Sequence, residues 1–151
     1  MQLNRKLKES AEPSTLTVLL IEDSLEDGVA ITKACVTGEA LYDFKIIRKY
    51  TLEGGLDFLK SAKVDVVLLD LRLPDARELK AITTIHTLFP TLPIVVISGY
   101  SNINMIHEAL ASGAQEFLIK GESSGAVIRQ SMYQAISRKR IEQAYIKGEK
   151  L

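Results

Sequence analysis

The sequence is poor in cysteine, proline and tryptophan: its 151 residues include one cysteine, four prolines and no tryptophan. The lone Cys35 has no partner within the chain, which excludes a disulfide scaffold and favours a reducing compartment. Apolar runs stay well short of the roughly 20 residues that a membrane-spanning helix needs, and residues 1–14 lack the apolar stretch of a signal peptide. These absences predict a cytoplasmic protein that does not insert into membranes.

The chain has no excess of either positive or negative charge, since 19 basic residues balance 19 acidic ones. Basic side chains are concentrated near the two ends of the chain and the middle is acidic. This distribution argues against nucleic acid as a partner, because phosphate binding needs a basic surface. Balanced charge with 46% hydrophobic residues excludes disorder over the whole chain and predicts one globular domain.

Motifs of common ligand sites are absent as well. No glycine-rich phosphate loop of the Walker type occurs, and no GxGxxG follows a predicted strand. Cysteine and histidine do not cluster, so a zinc site is unsupported. Any chemistry must therefore come from other residues.

Five short apolar runs predict buried β-strands, and helical spacing of apolar residues predicts a helix after each of them. The first predicted strand begins at Thr15, and the other four cover 43–50, 64–71, 93–98 and 116–120. The predicted helices run from Ser24 to Gly38, over 51–62, over 79–89, over 103–113, and onward from Ser123 or Ser124. This alternation predicts a parallel sheet covered by helices on both faces. Residues 1–14 are predicted to be a flexible leader, 15–140 the folded domain, and 141–151 a helical extension or linker.

Polar side chains stand at the ends of four of the five predicted strands. They are Glu22 and Asp23 after the first strand, Asp70 after the third, Ser98 after the fourth and Lys120 after the fifth. Ligands of parallel sheets bind at the carboxyl ends of the strands, so these groups are expected to converge. Crowded carboxylates are stabilised by a hard divalent cation, of which Mg²⁺ is the abundant choice. A carboxylate beside such a metal can attack phosphorus, and a lysine and a hydroxyl can hold the phosphoryl oxygens.

Each of these residues alone is as typical of a turn or a helix cap, but their joint occurrence favours a site. Four segments in order, LLIEDSLED, VVLLDLRLPD, IVVISG and GAQEFLIKGE, resemble the signature segments of the response-regulator receiver domain of two-component signalling. The resemblance covers roughly 15–140, and Lys-Gly-Glu after strand five is similar to one subgroup. It implies an α/β, flavodoxin-like (βα)5 three-layer sandwich with five parallel strands in the order 2-1-3-4-5.

The resemblance also implies a metal-dependent phosphoacceptor. Asp70 matches the aspartate that takes a phosphoryl group from a histidine kinase or a histidine phosphotransfer protein. Glu22, Asp23, Asp70 and the backbone carbonyl of Arg72 match the ligands of Mg²⁺, with Mn²⁺ as an alternative. The family is not enzymatic beyond its own phosphotransfer and dephosphorylation.

The implied switch consists of Lys120, which pairs with the phosphoryl group, Ser98, which turns towards it, and Phe117 at the aromatic position. Their movement would remodel the face formed by helix four, strand five and helix five, where a downstream protein partner binds. A homodimer through the same helices is left open. Arg72 and Tyr100 lie beside the pocket and are expected to control water access and hence phosphoryl lifetime.

Three positions depart from the family pattern. Gly121 follows Lys120 where proline is usual, Glu78 stands where a glycine is common, and Phe117 replaces a common tyrosine. The Glu78 departure motivates an alternative, a receiver-like scaffold that takes no phosphate. A phosphatase with an aspartyl nucleophile, such as a haloacid dehalogenase, is disfavoured because it needs an aspartate where Arg72 stands. A stand-alone receiver and a module of a longer sensor kinase or cyclase are both left open as expectations.

Overall fold

The central sheet has five parallel strands in a computed structural model that describes residues 15–36, 43–77 and 79–148. The strands are β1 (Thr15–Ile21), β2 (Asp43–Lys49), β3 (Val66–Leu69), β4 (Ile94–Ser98) and β5 (Glu116–Ile119). They pair in the order β2-β1-β3-β4-β5, so the strand order expected from the sequence is confirmed.

Five helices connect or follow these strands in the described part of the chain. They are α1 (Leu25–Val36), α2 (Leu52–Ser61), α3 (Lys80–Leu88), α4 (Ile103–Ala111) and α5 (Gly125–Ile146). A short antiparallel hairpin, Arg72–Leu73 with Ala76–Arg77, lies between β3 and α3 and was not predicted from the sequence. No helix within the described ranges is both long and apolar enough to cross a membrane.

Two apolar layers cover the two faces of the sheet, because successive side chains of a strand point to opposite faces. On one face, Leu19 and Leu69 lie in a cluster with residues of α2, α3 and α4. On the other face, Leu20 and Leu68 lie in a cluster with residues of α1 and α5. Both faces of β3 are fully buried, which explains its unbroken apolar sequence. The predicted three-layer α/β sandwich is confirmed.

Side chains cap four of the five described helices at the ends nearest the carboxyl edge of the sheet, and α3 is the exception. Ser24 Oγ accepts a hydrogen bond from the Asp27 N–H at 3.2 Å, which confirms Ser24 as the N-cap of α1. Thr51 caps α2, Asn102 caps α4, and Ser124 rather than Ser123 caps α5. These caps fix where each helix starts relative to the strand before it.

Some expectations fall on residues outside the described ranges. These are the leader at 1–14, the end of α1 at Gly38, and the Glu78 position. Helix α5 continues without a break to Ile146, so the boundary predicted at 140 falls within a helix. Gly121, which replaces the usual proline, has a φ of 80°, a conformation that glycine adopts without strain.

Candidate functional site

Backbone hydrogen bonds at the carboxyl edge of the sheet hold the predicted site residues in register. The Glu22 N–H donates to the Lys49 carbonyl at 3.0 Å, and the Asp70 N–H donates to the Ile21 carbonyl at 3.0 Å. On the other side of β3, the Lys120 N–H donates to the Ser98 carbonyl at 2.8 Å. Each bond extends the pairing of two strands by one residue, so the side chains that follow the strands leave the sheet at fixed positions.

The Lys120 ammonium lies among three carboxylates. Its Nζ is 2.6 Å from Glu22 Oε2, 3.0 Å from Asp27 Oδ2 and 3.4 Å from Asp70 Oδ2. The Lys120 side chain is 17% exposed, and Glu22 and Asp70 are buried. The convergence of Glu22, Asp70 and Lys120 that the sequence predicted is present in the structure.

Burial and the neighbouring charges change the proton affinity of two of these groups. Burial raises the pKa of Glu22 to about 7, although the contacts with Lys120 and with the Ser24 N–H oppose this increase. Burial alone would lower the pKa of Lys120, but Glu22, Asp27 and Asp70 outweigh it and raise that pKa to about 12. Lys120 therefore remains a cation throughout the physiological pH range.

Three carboxylates of this edge are close enough to share a cation. One oxygen each from Glu22, Asp23 and Asp70 lies within 4.8 Å of the other two. Glu22 Oε2 is fully buried and has the Lys120 ammonium beside it rather than a well-directed hydrogen bond. Asp23 is exposed and opens the cluster to solvent. A set of carboxylate oxygens with one open side fits a hard divalent cation such as Mg²⁺.

The loop after β3 borders this cluster. The Arg72 N–H donates to Asp70 Oδ1 at 3.2 Å, which orients the Asp70 carboxylate. The role of the Arg72 carbonyl as a metal ligand stays a prediction. The Arg72 guanidinium lies over the Tyr100 ring at 5.9 Å, so the two residues expected to control water access are in contact. A cleft of about 410 Å³ opens here, lined by Asp23, Leu71, Arg72, Leu73, Pro74 and Arg77.

The two predicted switch residues lie at the site but point elsewhere. The Ser98 hydroxyl donates to the Tyr100 carbonyl at 3.0 Å and accepts weakly from the Tyr100 N–H at 3.4 Å. Among the residues that the structure describes, no hydrogen bond joins this hydroxyl to Asp70 or Lys120. Phe117 is half-buried and packs against the apolar cluster beneath α3 and α4. Their roles as switch residues stay predictions.

Two acidic residues of this edge were missed by the sequence analysis. Asp27, in the first turn of α1, hydrogen-bonds to Lys120 across 93 positions of the chain. Asp75 accepts hydrogen bonds from the Leu52 and Glu53 N–H groups at 2.8 and 2.9 Å, so a side chain from the loop after β3 caps α2. The place of Asp27 three residues after the predicted cap Ser24 could have indicated that it lies at the same edge, but no local signal marks Asp75.

A larger cleft of about 740 Å³ lies elsewhere, between the loops that precede β3 and β4 and the second half of α5. It is lined by lysine and arginine side chains, including Lys63 and Lys139, and by apolar residues such as Phe89 and Ile136. None of the predicted site residues lines it. Its size does not make it the better candidate, because it lacks the carboxylates, the hydroxyl and the Lys120 ammonium of the opposite edge.

The sequence is similar to those of bacterial signalling proteins. Chemotaxis protein CheY of Thermotoga maritima is 32% identical over 111 residues, which cover 68% of this chain and 83% of CheY. Regulatory protein LuxO of Vibrio vulnificus is 37% identical over 66 residues, which cover 44% of this chain and only 15% of LuxO. The matched region is thus a small part of the LuxO regulator.

The fold is similar to that of solved receiver domains. The signal receiver domain of a LuxO repressor protein from Vibrio parahaemolyticus matches with a TM-score of 0.73 at 21% identity, covering 87% of this chain and 97% of that domain. Residues 18–131 match the signature of the family described as the response regulator receiver domain. This match spans most of the described sequence, including all five strand ends, and we conclude that the chain belongs to the response regulator receiver domain family.

Proposed function

We propose that this receiver domain is a phosphoacceptor in which Asp70 takes a phosphoryl group from the phosphohistidine of a histidine kinase or a histidine phosphotransfer protein. The observation that carries the proposal is the position of Asp70, whose Oδ2 lies 3.4 Å from the Lys120 ammonium while the carboxylate also belongs to the acidic cluster. Such a carboxylate has a cation to balance the incoming charge and two acidic neighbours to share a metal ion.

In the transfer, an Asp70 oxygen forms a bond to phosphorus and the phosphorus–nitrogen bond of the donor breaks. The electron pair of that bond stays with the imidazole, which is protonated from solvent. Lys120 would hold a phosphoryl oxygen, and the Arg72 N–H would keep the second Asp70 oxygen in place. When bound by Glu22, Asp23 and Asp70, Mg²⁺ supplies positive charge to the phosphoryl oxygens, and Mn²⁺ would suit the same oxygen ligands.

Phosphorylation of Asp70 would change the structure of the domain through Ser98. Its hydroxyl must leave the Tyr100 carbonyl to reach a phosphoryl oxygen, and this exchange would move the loop that leads into α4. Helix α4 exposes Ile103 and Leu110, two apolar side chains that a partner protein could cover. We infer that a downstream protein binds the face formed by α4, β5 and α5. We also propose that signalling occurs in the cytoplasm and that the domain has no enzymatic activity beyond its own phosphotransfer and dephosphorylation. A difference in partner affinity of a few kcal/mol, about 100-fold, is sufficient for such a switch.

The test is the intact mass of the protein after incubation with acetyl phosphate and Mg²⁺, with the Asp70→Asn variant as the control. We expect the parent protein to gain one phosphoryl group, and the variant and a sample with excess chelator to gain none. If the parent gains nothing from acetyl phosphate or from a phosphorylated histidine phosphotransfer domain, the scaffold alternative replaces the proposal. Sustained hydrolysis of a phosphoester over many turnovers would instead indicate a phosphatase.

A further inference from the structure

We propose that Asp27 is a positioning residue for the phosphotransfer, and that its carboxylate holds the Lys120 ammonium in place beside Asp70. This inference rests on the proposed function of Asp70. Asp27 Oδ2 accepts a hydrogen bond from Lys120 Nζ at 3.0 Å, a shorter distance than the 3.4 Å that separates Nζ from Asp70 Oδ2. The lysine is thus held more closely by Asp27 than by the residue on which it would act.

The geometry of an ammonium group explains why a second anchor matters. Lys120 has three N–H donors on a flexible stem, and a single carboxylate partner leaves that group free to rotate and swing. Glu22 holds it from the buried side at 2.6 Å, and Asp27 holds it from the side of α1. Glu22 and Asp27 thus confine the ammonium from two sides, and Nζ stays 3.4 Å from Asp70 Oδ2, where a phosphoryl oxygen would bind.

The position of Asp27 is itself fixed by close packing of α1 on the sheet. Its N–H is bonded to the Ser24 cap, and the next residue, Gly28, lies directly against the Arg48 guanidinium of β2. A Cβ at Gly28 would lie 1.9 Å from Arg48 Nη2, so the Arg48 side chain occupies the space beside this turn and a larger residue would displace it. Asp27 therefore reaches Lys120 from a rigid helical turn rather than from a mobile loop.

An acidic residue in the first turn of a helix can also act simply by favourable interaction with the helix dipole. The neighbouring Glu26 provides the matched control for that role. It lies in the same turn, its side chain is exposed, and no ion pair joins it to any residue in the described ranges. Removal of charge at Glu26 and at Asp27 changes the dipole interaction alike, but only Asp27 contacts Lys120.

The test is the rate of phosphorylation by acetyl phosphate at saturating Mg²⁺, followed by intact mass, for the parent and for Asp27→Ala, Asp27→Asn and Glu26→Gln. We expect Asp27→Ala to be slower by about threefold to tenfold, as for loss of a partly exposed charged hydrogen bond. Asp27→Asn keeps an acceptor without the charge and should be intermediate. Glu26→Gln should differ from the parent by less than about twofold.

A double-mutant comparison separates positioning of Lys120 from a structural effect. In a Lys120→Ala background, Asp27→Ala should cause no further loss of rate, because the group that it positions is gone. An unchanged rate in the single variant, or an equal loss in both backgrounds, would overturn the inference. Thermal unfolding shows whether each variant is folded, and Asp27→Asn serves if Asp27→Ala is not. A parent protein that takes no phosphoryl group would contradict the proposed function of Asp70 instead.

Discussion

Replacement of Asp75 by alanine should destabilise the domain, because this side chain joins the loop after Asp70 to the start of α2. Its two oxygens accept hydrogen bonds from the Leu52 and Glu53 N–H groups at 2.8 and 2.9 Å. Loss of a side-chain cap typically costs about 0.5–2 kcal/mol, and the interaction of the carboxylate with the helix dipole belongs to the same effect. For a domain of this size, a loss of about 1 kcal/mol corresponds to a decrease in Tm of about 2–4 °C.

The same cap should depend on pH in a direction that the structure fixes. Slight burial would raise the pKa of Asp75, but the hydrogen bonds from Glu53 and Leu52 outweigh it and lower that pKa below its ordinary value of 3.8. A carboxylate with a lowered pKa contributes its stability above the unfolded-state value and loses it as the pH falls through the folded-state value. The difference in the free energy of unfolding between the parent and Asp75→Ala should thus have its full value at pH 7 and should decrease as the pH falls below 3.8.

The measurement is the free energy of unfolding in urea for the parent, Asp75→Ala and Asp75→Asn, at pH 7 and at decreasing pH. Asp75→Asn retains one acceptor oxygen and should lose less. Asp57→Ala is the matched control, because Asp57 lies in the same helix, is 67% exposed, and forms an ion pair with Lys60 at 3.5 Å. That control should change the free energy by less than about 0.5 kcal/mol. Equal losses in Asp57→Ala and Asp75→Ala, or a loss for Asp75→Ala that does not change with pH, would refute the reasoning.

Two further predictions concern Cys35 and Arg72. Burial raises the pKa of the Cys35 thiol to about 11, and the residue is 1% exposed. A thiol reagent at pH 8 should therefore label the native protein far more slowly than the urea-unfolded protein. Similar labelling rates would show that α1 opens readily. Arg72→Ala removes the guanidinium that lies over Tyr100 beside Asp70, so the phosphorylated variant should lose its phosphoryl group a few-fold faster than the parent. The loss is followed by intact mass after removal of acetyl phosphate. An unchanged lifetime of the phosphoryl group would show that this pair of residues does not restrict the access of water.

Local patterns in the sequence were sufficient to predict a parallel sheet covered by helices and most of the acidic edge, and the resemblance to receiver domains added the strand order. The four-residue apolar run of β3 and the polar Asp70 that follows it are adjacent in the chain, as are β1 and the Glu22–Asp23 pair. The rule that ligands bind at the carboxyl ends of parallel strands then brings these separate residues together without knowledge of any distance. Ser98 and Lys120 followed from the same argument.

What the sequence could not supply are contacts that depend on how the helices and loops pack. The contact of Asp27 with Lys120 joins residues 93 positions apart, and it exists only because the first turn of α1 lies beside the end of β5. Likewise, Asp75 is an ordinary turn residue by sequence, and its role as a second cap of α2 beside Thr51 requires the hairpin after β3 to fold back onto Leu52. The position of Ser98 at the end of β4 follows from the sequence, but its local bond to the Tyr100 carbonyl does not, because that bond depends on the path of the loop before α4.

These long-range contacts suggest how a small chemical change at Asp70 could spread through the domain. Lys120 links Asp70 to α1 through Asp27, and Ser98 links the end of β4 to the loop before α4 through Tyr100. A phosphoryl group on Asp70 would offer new acceptors to both Lys120 and Ser98, so each could exchange a partner that it has now. Because Asp27 lies on a helical turn packed against β2 whereas Tyr100 lies in a loop and is exposed, the less constrained Ser98–Tyr100 contact should yield first. The structural change caused by phosphorylation would then affect α4 rather than α1. A partner that binds the face of α4, β5 and α5 could detect a change at α4.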